Sequence, residues 1–290
     1  MDHARGPDVL VGYDGSDEGE RAVHCGVEEA RLRRRPLTVC HAWDWPYPEP
    51  PLDAGMIAIA RKMAEHVLDK GVRNAQRRAP GLEVRKCLVK GPVAAALLYE
   101  AADTELIVIG SHGTGGPAGS TVGSAAFQVP AHAVCPVIVR RGAVSGPGRV
   151  VIGVDGSPAG DAALAFGFEE AALRGWEVHA VYGAREPEAG ENTDIALYGD
   201  VESLRMSAGA RLERLVSPWR EKFGQVPTTT RLMLEPPRRA LLEASDQAAL
   251  LVVGDHSPGG LPGLRLGTVT LAMLQDAGCS VAVTHAWRPD

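Results

Sequence analysis

The stretch with the most chemical content is Gly110-Ser111-His112-Gly113-Thr114-Gly115-Gly116, followed ten residues beyond Gly113 by Gly123-Ser124-Ala125. Four glycines in seven residues remove β-carbons and permit positive φ, so successive backbone amides can converge on an anion. Gly123-Ser124 opens a further helical stretch, and a helix start offers free amides and a hydroxyl to phosphate. Together the two make a cradle for a polyphosphate; a flexible surface loop is the competing reading of the same glycines. The second candidate is Gly12-Tyr13-Asp14-Gly15-Ser16. Ser16 with Asp17, Glu18 and Glu20 reads as an N-cap with an acidic first turn that complements the helix dipole. That accounts for Gly15 and Ser16 and leaves Asp14 open, either as part of the turn or as an acceptor of hydrogen bonds from a ribose or a base.

Competing chemistries fail on the residues. No GxxxxGK[ST] is present, so a P-loop lysine is missing. Gly113-Thr-Gly115-Gly-Pro-Ala118 fits GxGxxA, but it carries Pro117 where a helix should form and lacks the first-strand context of a dinucleotide fold. Asp255-His256-Ser257 holds the residue types of a hydrolase triad, yet adjacent residues cannot supply triad geometry and no GxSxG elbow exists. The nine histidines show no metal-ligand spacing, and the five cysteines (Cys25, Cys40, Cys87, Cys135, Cys279) show no CxxC. No metal site is expected, and the thiols are expected to be reduced and mostly buried.

The elements that must position these residues come twice. Val9-Leu-Val-Gly-Tyr-Asp-Gly-Ser16 matches Val150-Val-Ile-Gly-Val-Asp-Gly-Ser157, Leu106-Ile-Val-Ile-Gly110 matches Leu250-Leu-Val-Val-Gly254, and Cys135-Pro-Val-Ile-Val139 matches Cys279-Ser-Val-Ala-Val283. The chain is a tandem duplication, with domains expected over 1–145 and 146–290, joined in the Gly/Pro-rich segment Gly142 to Gly148. In the first copy, strands are predicted near 8–13, 37–42, 84–89, 106–110 and 136–140. Helices are predicted near 17–34, 54–79, 93–102 and 124–133. Runs such as Leu106 to Ile109 are apolar without alternation, as in a parallel sheet covered on both faces. Each copy is therefore a doubly wound five-stranded parallel α/β domain, and its ligand belongs at the carboxyl ends of the strands.

Composition narrows the classes further. The 290 residues are 45% hydrophobic and 23% charged, which excludes a disordered or fibrous chain. The net charge of −6, with the acid excess in the second half, gives no overall footprint for nucleic acid or an anionic membrane. The basic run Arg31 to Arg35 reads as the solvated end of a helix. No apolar run reaches a membrane span and no leader pattern opens the sequence, so a cytoplasmic location is expected.

The spacing G-x-x-G, nine residues, G-S, together with VGYDGS, resembles the universal stress protein family. The resemblance runs from Val9 to Arg140 and from Val150 to Thr284. It implies an adenine-nucleotide α-hydrolase-like fold that binds ATP, with or without Mg²⁺, adenosine near the first two strands and phosphates on the glycine loop. The residues it carries over are Gly12, Asp14, Gly15, Ser16, Val89, Gly91, Gly110 to Gly116, and Gly123 to Ala125. One departure is that Thr114 to Val122 lacks the basic residue common late in this spacer, where Ser120 stands. The expected role is a nucleotide-dependent stress-response or regulatory module, not an enzyme; the alternative is a slow ATPase or another adenine-nucleotide-using enzyme of the same α/β group.

The second copy keeps Gly153, Asp155, Gly156, Ser157, Gly254, Gly267 and Thr268. It replaces the second motif glycine by Ser257, puts Asp255 where a serine stood, and has Leu234-Glu-Pro-Pro237 in place of the V-x-G-P segment, while Arg265 adds a cation in the spacer. A carboxylate beside phosphate repels it, so the second site is expected to be weaker. Pro136 to Val139 and Ser280 to Val283 are short apolar terminal strands, and an exposed edge invites pairing. The resemblance implies that the two copies associate through these strands as an intramolecular pseudo-twofold pair; a homodimer of the whole chain is admitted but not required.

Overall fold

The computed structural model describes residues 7–43, 54–113, 122–142, 148–184, 197–256 and 265–286. The chain divides into two compact units, Met1–Arg141 and Gly142–Asp290. In the first, the elements are β1 (Asp8–Gly12), α1 (Asp17–Arg33), β2 (Leu37–Trp43), α2 (Ala54–Arg78), β3 (Val84–Lys90), α3 (Val93–Glu100), β4 (Thr104–Gly110), α4 (Ala125–His132) and β5 (Val137–Arg140). The strands are all parallel in the order β3-β2-β1-β4-β5. The chain winds outward from β1 to β3, then returns to β4 on the other side of β1, so the switch point lies between β1 and β4.

The core explains the apolar runs. Val9 to Val11, Leu106 to Ile109 and Val137 to Val139 are buried without a break, because helices cover both faces of the sheet. Strand β4 starts two residues earlier than the pattern 106–110 suggests. Thr104 is drawn into register with Asp8, and its hydroxyl donates to Asp8 Oδ1 at 2.9 Å, while the Thr38 hydroxyl donates to Asp8 Oδ2. The remaining elements of this unit fall within two residues of the expected bounds.

The second unit repeats the plan with β6 (Arg149–Gly153), α5 (Pro158–Arg174), β7 (Glu177–Gly183), α6 (Leu197–Lys222), β8 (Thr228–Met233), α7 (Pro237–Ser245), β9 (Leu250–Gly254), α8 (Thr268–Asp276) and β10 (Ser280–Thr284). Its strands are parallel in the order β8-β7-β6-β9-β10. Ser157 caps α5 as Ser16 caps α1, each hydroxyl accepting from the amide three residues on, at 2.9 and 3.0 Å. The carboxyl ends of these helices differ. Gly175 closes α5 in the left-handed region at φ 65°, as glycine commonly does, whereas Arg34 closes α1 at φ 56°. A β-carbon there costs about 1 kcal/mol.

Glycine inside α1 and α5 sets how closely each helix seats on its sheet. A Cβ on Gly26 would lie 2.1 Å from Val11 Cγ2, and one on Gly167 would lie 2.5 Å from Ile152 Cδ1. Both neighbours are fully buried and cannot yield. Gly26→Ala gains about 1 kcal/mol of helix propensity but forces β1 and α1 apart. We therefore expect a net loss of about 2 kcal/mol by urea unfolding; a variant as stable as the parent would show that the helix seats more loosely than described.

Candidate functional site

A cavity of about 420 Å³ opens at the carboxyl ends of β1, β2 and β4. One wall is the turn after β1. There Asp14 Oδ1 accepts from the Ser16 amide at 3.0 Å and from the Ser16 hydroxyl at 2.6 Å, so half of this carboxylate makes the turn. The other oxygen faces the glycine loop, since a Cβ on Gly113 would lie 2.7 Å from Asp14 Oδ2. A Cβ on Gly19 would lie equally close, 2.7 Å, to Asp14 Oδ1. One oxygen of Asp14 thus belongs to the turn and the other stands against the loop.

The loop glycines work by close approach. Neither Gly110 nor Gly113 adopts positive φ. A Cβ on Gly110 would press to within 3.1 Å of the Glu18 backbone, where the first turn of α1 crosses the end of β4. Thr114, Gly115 and Gly116 lie outside the described residues, as does Ser257 in the second unit. Gly123 closes the loop, but its amide is engaged, donating to the Ser111 carbonyl at 2.8 Å. Ser124 has helical φ and ψ, makes no side-chain cap bond, and lines the cavity beside Ala125.

Gly12, Asp14, Gly110 to Gly113 and Gly123 to Ala125 line the cavity, and four other residues among those expected stand behind it. Gly15 makes the turn at φ 86° and Ser16 caps α1. Val89 lies near the end of β3 and Gly91 just after it, donating its amide to the Trp43 carbonyl at 2.9 Å. Tyr13 of the VGYDGS turn also lines the wall, as do residues that no motif announced, namely Gly19 of α1, His41, Ala42, Val93 and Leu97. His41 and Ala42 lie on β2 and Val93 and Leu97 on α3, which contribute through tertiary placement rather than local pattern. His41 Nδ1 bonds the Tyr13 carbonyl at 2.8 Å. A carbonyl only accepts, so Nδ1 carries a proton, and in the neutral form of the ring Nε2 is the acceptor. Cys40 joins the wall as a thiol, its pKa raised by a hydrogen bond with Cys87 and by burial.

Behind Tyr13 a polar network ties the turn to two helices. The Tyr13 hydroxyl donates to Glu20 Oε1 at 2.7 Å, Lys70 Nζ lies 2.9 Å from the same oxygen, and Asn74 donates to the other. Burial, followed by the Glu20 carboxylate, pushes the Tyr13 phenol up. For Glu20, burial works to raise the carboxyl, but bonds from Lys70, Tyr13 and Asn74 together outweigh it and hold the group below its ordinary value.

The second unit builds a matching cavity of about 360 Å³ from Gly153, Val154, Asp155, Gly254, Gly267 and Thr268, with Val181 to Gly183 in place of Cys40 to Ala42. Gly156 and Ser157 again stand behind, making the turn and cap. One ground for a weaker second site does not survive: the amide missing at Pro236 corresponds to that of Gly91, which is used within the sheet rather than offered to a ligand. Asp255 is buried. Arg211 of α6, without a motif to mark it, does line the cavity, donating to the Asp155 carbonyl at 3.1 Å. Among the described residues no group of three His, Cys, Asp or Glu could hold a metal, and no helix is long and apolar enough to cross a membrane.

The family model for the universal stress protein family matches residues 7–141 and 147–285. The chain belongs to that family, in its tandem two-domain form. It is 32% identical over 296 residues to a universal stress protein of Mycobacterium tuberculosis strain H37Rv, covering 96% of each chain. It is 30% identical over 290 residues to one of Mycolicibacterium smegmatis, again covering 96% of each. In fold it is similar to the crystal structure of a universal stress protein from Archaeoglobus fulgidus, with a TM-score of 0.69 at 16% identity over 97% of each chain.

The Glu20 network carries a pH signature. Because its folded pKa is depressed, Glu20 contributes stability in full above its ordinary value near 4.5, and that contribution is lost as pH falls through the folded value. The stability gap between the parent and Glu20→Gln, measured by denaturant unfolding across pH 3 to 7, should close toward the acid end. A gap independent of pH would remove the network from this role.

Proposed function

We propose that the crevice of the first unit binds ATP, with Mg²⁺ as counter-ion to the phosphates, and that the protein acts as a nucleotide-responsive module of its family. The observation that carries this reading is the meeting of the Asp14 carboxylate and a β-carbon-free loop at the switch point of the sheet. The cavity volume suits a small-molecule ligand. His41 lines the wall, and with Nδ1 donating to Tyr13 its ring in the neutral form would offer Nε2 to the exocyclic amine of adenine. Asp14 Oδ2 suits a ribose hydroxyl, and the Ser124 hydroxyl with the Gly113 backbone suits phosphate.

Binding is favoured over turnover by what faces the crevice. Its described hydroxyls are those of Tyr13, Ser111 and Ser124, and its described ring bases are His41 and His112. Tyr13 is hydrogen-bonded to Glu20, and Ser111 is bonded to its own neighbour His112 at 2.8 Å rather than aimed by a third group. ATP incubated with the protein and Mg²⁺ for hours should be recovered intact in the bound fraction; its conversion to ADP at one equivalent or more would favour an enzyme.

Gly113→Val tests the loop. The new side chain collides with Asp14 Oδ2, so calorimetric titration should give ATP affinity at least about tenfold weaker in a folded protein. Unchanged affinity in that variant would remove the loop from the site.

A further inference from the structure

At the amino ends of the strands, the far end of α1 from the crevice, Arg31, Arg34, Arg35 and Arg78 line a concavity of about 510 Å³, floored by the turn after α2. The separation is the length of α1, about 25 Å for 17 residues. No acidic residue lines the concavity among those described. Arg35 is tied to Glu105 at 2.5 Å, and Arg78 contacts His24 Nδ1 at 2.8 Å. Arg31 and Arg34 are exposed and have no acidic partner among the described residues.

Arg34 is the informative residue. It occupies the left-handed position closing α1, which the second unit fills with Gly175. The positions of Arg31, Arg35 and Arg78 hold Ala172, Trp176 and Lys222 there. An arginine is thus kept on disfavoured backbone in the one unit where three other arginines converge. Complementing the dipole of α1 does not require it, because Arg33 already sits in the last turn and pairs with Glu29 and Glu105. Strain retained at one residue beside unneutralised charge is a mark of a binding site.

We propose that this concavity binds a compact phosphate-bearing anion with two or more adjacent phosphoryl groups. Guanidinium forks match phosphate oxygens bidentately, and the cluster contains arginine only. The concavity, about 510 Å³, is of the size that holds a small ligand, which suits a small polyanion rather than a nucleic-acid strand. The site is separate from the crevice and does not depend on what the crevice holds.

The test titrates inorganic tripolyphosphate into the full chain at low salt, with the parent, Arg34→Gly, Arg31→Ala and Gly113→Val compared by calorimetry and thermal unfolding. Arg34→Gly should raise the Tm of the free protein, because glycine suits the left-handed position, and yet weaken tripolyphosphate binding about tenfold. Arg31→Ala, an exposed helix position, should weaken binding without that gain in Tm, while both variants keep the parent's behaviour toward ATP. The proposal is overturned if both arginine variants bind tripolyphosphate as the parent does, or if Gly113→Val alone abolishes binding. It is also overturned if a glutamate-rich peptide or single-stranded DNA binds this face and tripolyphosphate does not.

Discussion

The crevice depends on the space around one carboxylate. Asp14 is held from one side by the amide and hydroxyl of Ser16 and enclosed by Gly19 and Gly113, each so near that a β-carbon would lie 2.7 Å from a carboxylate oxygen. Remove either glycine and the turn after β1 must part from α1 or from the loop after β4. The second unit repeats the constraint with Asp155, bonded by the Ser157 amide at 2.8 Å and approached by Gly160, whose Cβ would fall 2.4 Å from Oδ1. A capped helix, a strand end and a glycine loop meet there because one small acidic side chain fits between residues that have none.

Around that constant feature the two copies have diverged in compensating pairs. Tyr13 lies on Gly71, whose Cβ would collide with the ring at 2.6 Å, whereas in the second unit the smaller Val154 stands with Leu215 at the position of Gly71. Volume lost on the strand end is regained on the helix, as core packing requires. A neighbouring exchange changes chemistry instead. Val67 contacts the Gly15 turn in the first unit, and Arg211 occupies its place in the second, bringing a guanidinium to the wall. The two crevices therefore differ in charge, through a residue far from any glycine motif.

Most of the fold was legible because parallel strands buried on both faces leave unbroken apolar runs, and the duplication presents each run twice. Strand β4 extends past its apolar run because Thr104 joins the sheet through a side-chain bond to Asp8, a long-range effect that no window of sequence reveals. The family and the glycine elements of the site were legible from spacing. Their physical role was not, since Gly110 and Gly113 serve close approach and keep ordinary backbone angles. His41, Leu97 and Arg211 reach the cavities from β2, α3 and α6 by tertiary placement alone. In sequence Arg34 is one member of a basic run, and only its left-handed backbone, set beside Gly175, separates it from its neighbours.

The most direct measurement is a crystal structure of the full chain grown with a non-hydrolysable ATP analogue. The account predicts density for adenine beside His41, for ribose at Asp14 Oδ2, and for phosphates between Gly113 and Ser124, with the Asp14–Ser16 turn unchanged. An analogue bound elsewhere, or a crevice left empty at saturating concentration, would contradict it.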